Sequence, residues 1–223
     1  MMFRCNFIAN PIDFNDSSIN TLCVENKNLF RNFIRAFRYE QYEENDIELL
    51  EDYEQLKCKS SILFVPDFYD LSFSSTVLKK IYDNMAAFCV SDLQSQTINI
   101  KCDIISYIDL LLNSYDYDFS YNDDFSMQDI FKALTIKPII NNENMVLSLL
   151  DYLILADKYL KPKLFVLQNL HLFYSSIELE QLFNDLKKYD INLLLIESNQ
   201  DFIASDLEKI TIIDNDFCVI VDN

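Results

Sequence analysis

The chain of 223 residues contains no glycine, no tryptophan and a single histidine. Loops that cradle phosphates bring backbone amides close to the ligand through positive φ angles, which glycine adopts at no steric cost. Walker and dinucleotide-binding loops are therefore excluded, and with them nucleotide hydrolysis by a P-loop; no nucleotide partner is expected. Turns and helix stops must rest on Asn, Asp and Ser instead, as at Asn10-Pro11, Asn141-Asn142 and Asn215-Asp216. Positive charge is scarce as well: 18 Lys and Arg face 36 Asp and Glu, a formal net charge of -18. Such a chain resists non-specific adhesion to nucleic acid or anionic membrane, so DNA binding requires a local basic surface, a cation, or both. No apolar run approaches the roughly 20 residues of a membrane span. The start, Met1-Met2-Phe3-Arg4-Cys5-Asn6, lacks the charged and apolar regions of a signal peptide, so the expected location is cytoplasmic. No two of the six cysteines have zinc-knuckle spacing, and most, such as Cys23 between Leu22 and Val24, sit beside apolar residues and read as buried free thiols.

Half of the chain is hydrophobic, enough for one large domain or a core domain with a smaller lobe. Short strands are expected over Phe3 to Ile8 and Ile19 to Val24. A helix starts near Glu25 or Asn26, with Leu29, Phe30, Phe33, Ile34 and Phe37 at helical spacing. Glu40 to Glu54 reads as irregular surface, and Ser61 to Val65 as a buried parallel strand. Helices follow from Ser75, over Thr97 to Leu112, over Ser126 to Leu134 with Ser126 as cap, and over Asn144 to Tyr159. The last third reads as a β-α-β unit: strand Lys163 to Leu167, helix Ser176 to Lys188 capped by Ser176, strand Ile191 to Ile196. An edge hairpin of Ile210 to Ile213 and Phe217 to Val221 closes the chain. The plan is an α/β head from both ends, residues 1–73 and 161–223, with a mostly helical leg inserted over 74–160.

Two residue groups carry chemistry. From Cys102 to Phe131 there are seven aspartates and no Lys or Arg, and Asp116, Asp118, Asp123 and Asp124 fall in a loop. Flexible, oxygen-rich loops suit Ca²⁺, although an EF-hand is excluded by the missing glycine and closing glutamate; a solvated acidic surface is the alternative. Lys27, Arg31, Arg35 and Arg38 carry three of the four arginines on one helical stripe. Arginine forks match phosphate oxygens, while pairing with Glu40, Glu43, Glu44 or a neighbouring subunit is the bland reading. Further basic groups are Lys132 with Lys137, and Lys158 with Lys161 and Lys163, where a helix C-terminus also favours lysine. His171, after a core strand, has no partner at a recognised catalytic spacing and reads as a packed residue or surface donor. Glu197-Ser198 occupies a similar strand end.

The unit Lys163-Leu164-Phe165-Val166-Leu167-Gln168-Asn169, through Ser176-Ile177-Glu178-Leu179, to Leu193-Leu194-Leu195-Ile196-Glu197-Ser198 resembles the Csn-two family of CRISPR type II-A adaptation modules. Leu22-Cys23-Val24-Glu25 before a helix, the acidic Tyr117-Asp118 to Asp123-Asp124, and Ile213-Asp214-Asn215-Asp216-Phe217 agree in order. The resemblance implies an α/β fold with a degenerate P-loop-ATPase-like head and a helical leg. It implies a homotetrameric ring whose basic inner surface receives the ends of linear double-stranded DNA. Ca²⁺ would support the leg, with Glu143 joining Asp116, Asp118, Asp123 and Asp124 as ligands. The implied role is spacer acquisition alongside the CRISPR integrase complex and the type II effector nuclease, with no enzymatic step of its own. Lys27, Arg31, Arg35, Arg38, Lys132, Lys137, Lys158, Lys161 and Lys163 are the expected DNA contacts. Two other readings stand beside it: a cytoplasmic α/β protein scaffold, and a metal-dependent nuclease built on the aspartates, which needs carboxylates converging on two cations.

Overall fold

The computed structural model describes residues 1–8, 10–68, 71, 73–140 and 144–222. They form two compact units, Met1–Leu71 with Ile140–Asn223, and Ser72–Ile139.

The first unit contains two sheets. Strands β1 (Met2–Arg4), β2 (Ile12–Asp13), β4 (Glu48–Glu51) and β5 (Glu54–Gln55) form an antiparallel sheet ordered β2-β1-β4-β5. The larger sheet takes β3 (Ile19–Val24), β6 (Ile62–Val65), β7 (Leu164–Gln168), β8 (Leu193–Glu197), β9 (Lys209–Ile213) and β10 (Val219–Asp222) in the order β10-β9-β3-β8-β7-β6. All neighbours run parallel except the β9–β10 edge hairpin. β3 lies in the middle, pairing Ile19 to Cys23 with Leu193 to Glu197 of β8, and Asn20 to Val24 with Lys209 to Ile213 of β9. Every residue of β3 and β8 is buried, as expected of parallel strands covered on both faces.

Helix α1 (Lys27–Arg38) follows β3, the single turn α2 (Cys58–Ser61) precedes β6, and α6 (Met145–Leu160) and α7 (Ser176–Lys188) flank β7. The α7 cap is Ser175 rather than the expected Ser176. Ser175 Oγ accepts the Glu178 amide while the Glu178 carboxylate accepts the Ser175 amide, a capping box that needs a three-residue spacing. Glu40 to Glu54, expected to be irregular, instead carries β4 and the first residue of β5, with Ile47 and Leu49 buried. The strand expected over Phe3 to Ile8 shortens to β1.

The second unit holds α3 (Ser75–Ser91), α4 (Gln94–Leu112) and α5 (Met127–Ala133). Tyr82 of α3 lies 6.1 Å from the Phe131 ring of α5 and donates its hydroxyl to the Ile136 carbonyl at 2.7 Å. The inserted unit ends at residue 139, not at 160. Helix α6 buries Val146, Leu149, Leu150, Tyr152, Leu153 and Ala156 and packs on α7; apolar over most of its circumference, it belongs to a core. Among the described residues, no helix is long and apolar enough to cross a membrane. Cys5, Cys23 and Cys89 are buried, Cys58 is half-buried, and Cys102 and Cys218 are exposed, all as free thiols. Burial pushes the Cys5 and Cys23 thiols up to about 11 and about 12.

Candidate nucleic-acid interface

Helix α1 is fixed from both sides. The Asn26 side-chain oxygen accepts the amides of Asn28 and Leu29, each at 3.1 Å, satisfying donors that a helix N-terminus leaves open. Leu29, Phe33, Ala36 and Phe37 enter the core, where Phe37 meets Phe3, Tyr42 and Phe64 at ring-centroid distances of 6.3, 6.0 and 5.9 Å. The opposite stripe is thereby forced outward. Lys27, Arg31, Arg35 and Arg38 are all exposed and extend over about 16 Å of helix axis. They line a groove of about 380 Å³ together with Phe30, Ile34 and Ser198.

Among the described residues, none of these four cations has a carboxylate within ion-pair distance, whereas Arg4 meets Glu48, Lys188 meets Asp185 and Lys209 meets Asp16. Glu40, the nearest expected acidic partner in sequence, approaches Lys59 instead, at 3.8 Å. The other expected cations do not line the groove. Lys132 pairs with Asp129 at 3.4 Å and Lys163 with Glu51 at 3.0 Å. Lys158 lies 5.5 Å from the Tyr159 ring centroid, Lys161 ends α6 in the left-handed conformation, and Lys137 is exposed.

The β3–α1 connection is two residues, Glu25 and Asn26. In a phosphate site, the N-terminal amides of such a helix face the ligand. Here two of them are taken by Asn26, and Glu25 adds a negative charge beside them, accepting from Gln200 at 2.9 Å.

The acidic loop has no comparable convergence. Asp116, Asp118, Asp123 and Asp124 are exposed. Asp109 accepts the Tyr121 hydroxyl at 2.5 Å, and Asp129 is used by the α5 capping box. Among the described residues, no three His, Cys, Asp or Glu side chains form a metal-holding group, so the described aspartates do not by themselves assemble a Ca²⁺ site. Glu143 lies outside the described residues.

A cluster that sequence reasoning missed surrounds His171. The imidazole Nδ1 lies 2.9 Å from Glu197 Oε1 and Nε2 lies 3.1 Å from Glu208 Oε1, with all three side chains at most 4% exposed. The His171 amide also donates to Glu197 Oε1 at 3.1 Å, the Thr21 hydroxyl donates to Glu208, and the Phe202 ring stacks on the imidazole at 3.9 Å. Burial alone would push the imidazole down, but the hydrogen bonds to Glu197 and Glu208 and their charges outweigh it and hold it at about 9. Burial likewise raises Glu208, and His171, Thr21 and the Ser205 amide reverse that to leave it below the usual carboxylate range. The available sequence signal was positional: His171 and Glu197 both stand at the ends of adjacent parallel strands, where α/β sheets gather polar groups.

These features define a mixed-sheet α/β protein with a helical insertion and one concentrated cationic face. The family model described as "CRISPR-associated protein (Cas_Csn2)" matches residues 38–217, so the chain belongs to the Cas_Csn2 family. No curated protein matches the chain. Membership gives it a general role in CRISPR spacer acquisition, and the family is a non-catalytic one. The nuclease alternative is set aside on that ground.

Proposed function

We propose that the protein binds the ends of linear double-stranded DNA, without catalysis, as a homotetrameric ring that serves spacer acquisition beside the CRISPR integrase complex and the type II effector nuclease. The observation that carries the reading is the row of four cations on α1, without an ion-pair partner among the described residues, in a chain of net charge -18. Keeping three arginines free of carboxylates in so acidic a protein favours an external polyanion, and arginine is the side chain best matched to phosphate.

Two further features support it. The first strand of the parallel sheet is central and runs straight into α1 through Glu25 and Asn26, as in a P-loop-ATPase-like head whose phosphate loop has been lost. Helix α4 buries none of its residues, and Ile98, Ile100, Tyr107 and Leu110 are exposed; an apolar helix left so open calls for a covering surface, which further copies of the chain supply in a ring. Ca²⁺ enters the proposal through Asp116, Asp118, Asp123 and Asp124 only if Glu143 or a second copy completes the ligand set.

The test is a shift assay on linear and covalently closed circular duplexes of one sequence and length. The proposal expects retention of the linear form alone. Equal retention of both would remove the end requirement, and retention of neither would leave the scaffold reading.

A further inference from the structure

The segment 198–208 between β8 and β9 is tied down through side chains. The Ser198 amide donates to Asn169 Oδ1 at 3.0 Å, Gln200 reaches Glu25 at 2.9 Å, Phe202 stacks on His171, and the Ser205 amide donates to Glu208 Oε1 at 2.8 Å. Both ends of the segment adjoin the buried cluster, Glu197 directly before Ser198 and Glu208 directly before Lys209. Ser198 also lines the arginine groove.

We propose that His171 is the positioning residue of that groove: by bridging Glu197 and Glu208 as a buried cation, it clamps the two ends of the 198–208 segment and so holds Ser198 in the groove wall. The proposal rests on the reading of the groove as DNA-facing for its functional consequence, but not for the clamp itself. With both acids ionised, the geometry sets the charge state of the ring. Each ring nitrogen faces a carboxylate oxygen at hydrogen-bond distance. A carboxylate only accepts, and a neutral imidazole has one N–H, so a neutral ring would turn a lone pair toward one of the two acids. With both nitrogens protonated, each bond is charge-assisted in a water-excluded site.

Among the described residues, no other cation lies within ion-pair distance of Glu197 or Glu208. The groups facing the ring are Glu197 from β8, Glu208 before β9, and Phe202 from the segment itself. Cys23 of β3 lies close enough to Glu197 and Asp201 for both to raise its thiol further. Removing the imidazolium leaves two buried carboxylates opposed to each other, and a buried charge stripped of its partner is strongly destabilising. The segment, attached by few other bonds, is the part free to yield.

The experiment uses the full chain. His171 is the only histidine, so its ring signals in an NMR titration are unambiguous. The clamp predicts a doubly protonated ring at pH 7.5, and a neutral ring at that pH would overturn it. Hydrogen exchange at one fixed pH then compares the parent with H171Q. The expected result is at least tenfold faster exchange across 198–208 with α1 protection retained, and recovery of part of that protection in H171Q/E208Q, which removes one opposed charge. Unchanged exchange in H171Q overturns the proposal. If H171Q does not fold, the ring titration of the parent decides. On linear duplex, H171Q should bind at least threefold more weakly than the parent. A parent that binds no DNA sinks the DNA reading while the NMR and exchange results still judge the clamp; a parent that binds and an H171Q that binds equally well sink the coupling.

Discussion

Arg31, Arg35 and Arg38 illustrate how far single positions can be read before a fold is known. Their spacing placed them on one helical stripe, and the structure keeps that stripe exposed because Leu29, Phe33, Ala36 and Phe37 occupy the opposite face. His171 was not legible in the same way. Its partners stand 26 and 37 residues away and meet it only through the parallel register of the sheet, which no local spacing encodes. The cluster predicts a pH dependence whose sign is fixed by the imidazole. Its folded value, about 9, lies above the ordinary 6.5. The stabilisation is therefore complete below about pH 6.5, declines as pH rises, and is lost above about 9. Thermal melts of the parent should fall through this window by an amount equivalent to a few kcal/mol at most, while H171Q should be less stable throughout and nearly flat between pH 6.5 and 9. A parent as flat as the variant would contradict the assignment.

Among elements, those with a long periodic pattern were legible. Helices α1, α3, α5, α6 and α7 lie within a few residues of their expected spans, and the β7-α7-β8 unit and the edge hairpin formed where the sequence indicated. The small antiparallel sheet was not, because β4 is only Glu-Leu-Leu-Glu and β5 two residues long; such pieces acquire strand structure from pairing partners rather than from their own pattern. Helix α6 was found, but its unit was not, although its nearly all-round apolar surface was the available signal. Two predictions belong here. The two-residue β3–α1 connection, with the Asn28 and Leu29 amides at the start of α1 engaged by Asn26, should leave ATP without saturable binding in calorimetry; micromolar affinity would contradict it. Ile98 and Leu110 of helix α4 lie in the open, so Ile98→Glu with Leu110→Glu should change the melting free energy by little, within about 0.5 kcal/mol per site as for surface substitutions. The same change should lower the mass seen by light scattering if α4 is covered by other copies. A large loss of stability with unchanged mass would place the covering surface elsewhere.

For the whole molecule, the governing quantity is charge. Four copies at -18 carry a formal -72, four times the single-chain value, so the proposed ring would have to offset repulsion through apolar burial, pairing or bound cations. Calorimetry with Ca²⁺ measures the last of these. Asp118→Asn with Asp123→Asn and Asp124→Asn should abolish any Ca²⁺ heat if the loop supplies ligands, and leave it intact if it is a solvated acidic surface. Against this negative background, the proposal puts DNA on the α1 stripe, and the contribution of the stripe can be counted. The deciding measurement is the salt dependence of linear-duplex affinity for the parent and for the combined Arg31→Ala, Arg35→Ala, Arg38→Ala variant, with oligomeric state checked in each. Each lost phosphate contact lowers the slope of log affinity against log salt by about 0.9. The account predicts weaker binding to every linear sequence and a slope smaller by about 3, with fold and assembly retained. An affinity and slope equal to those of the parent would contradict it.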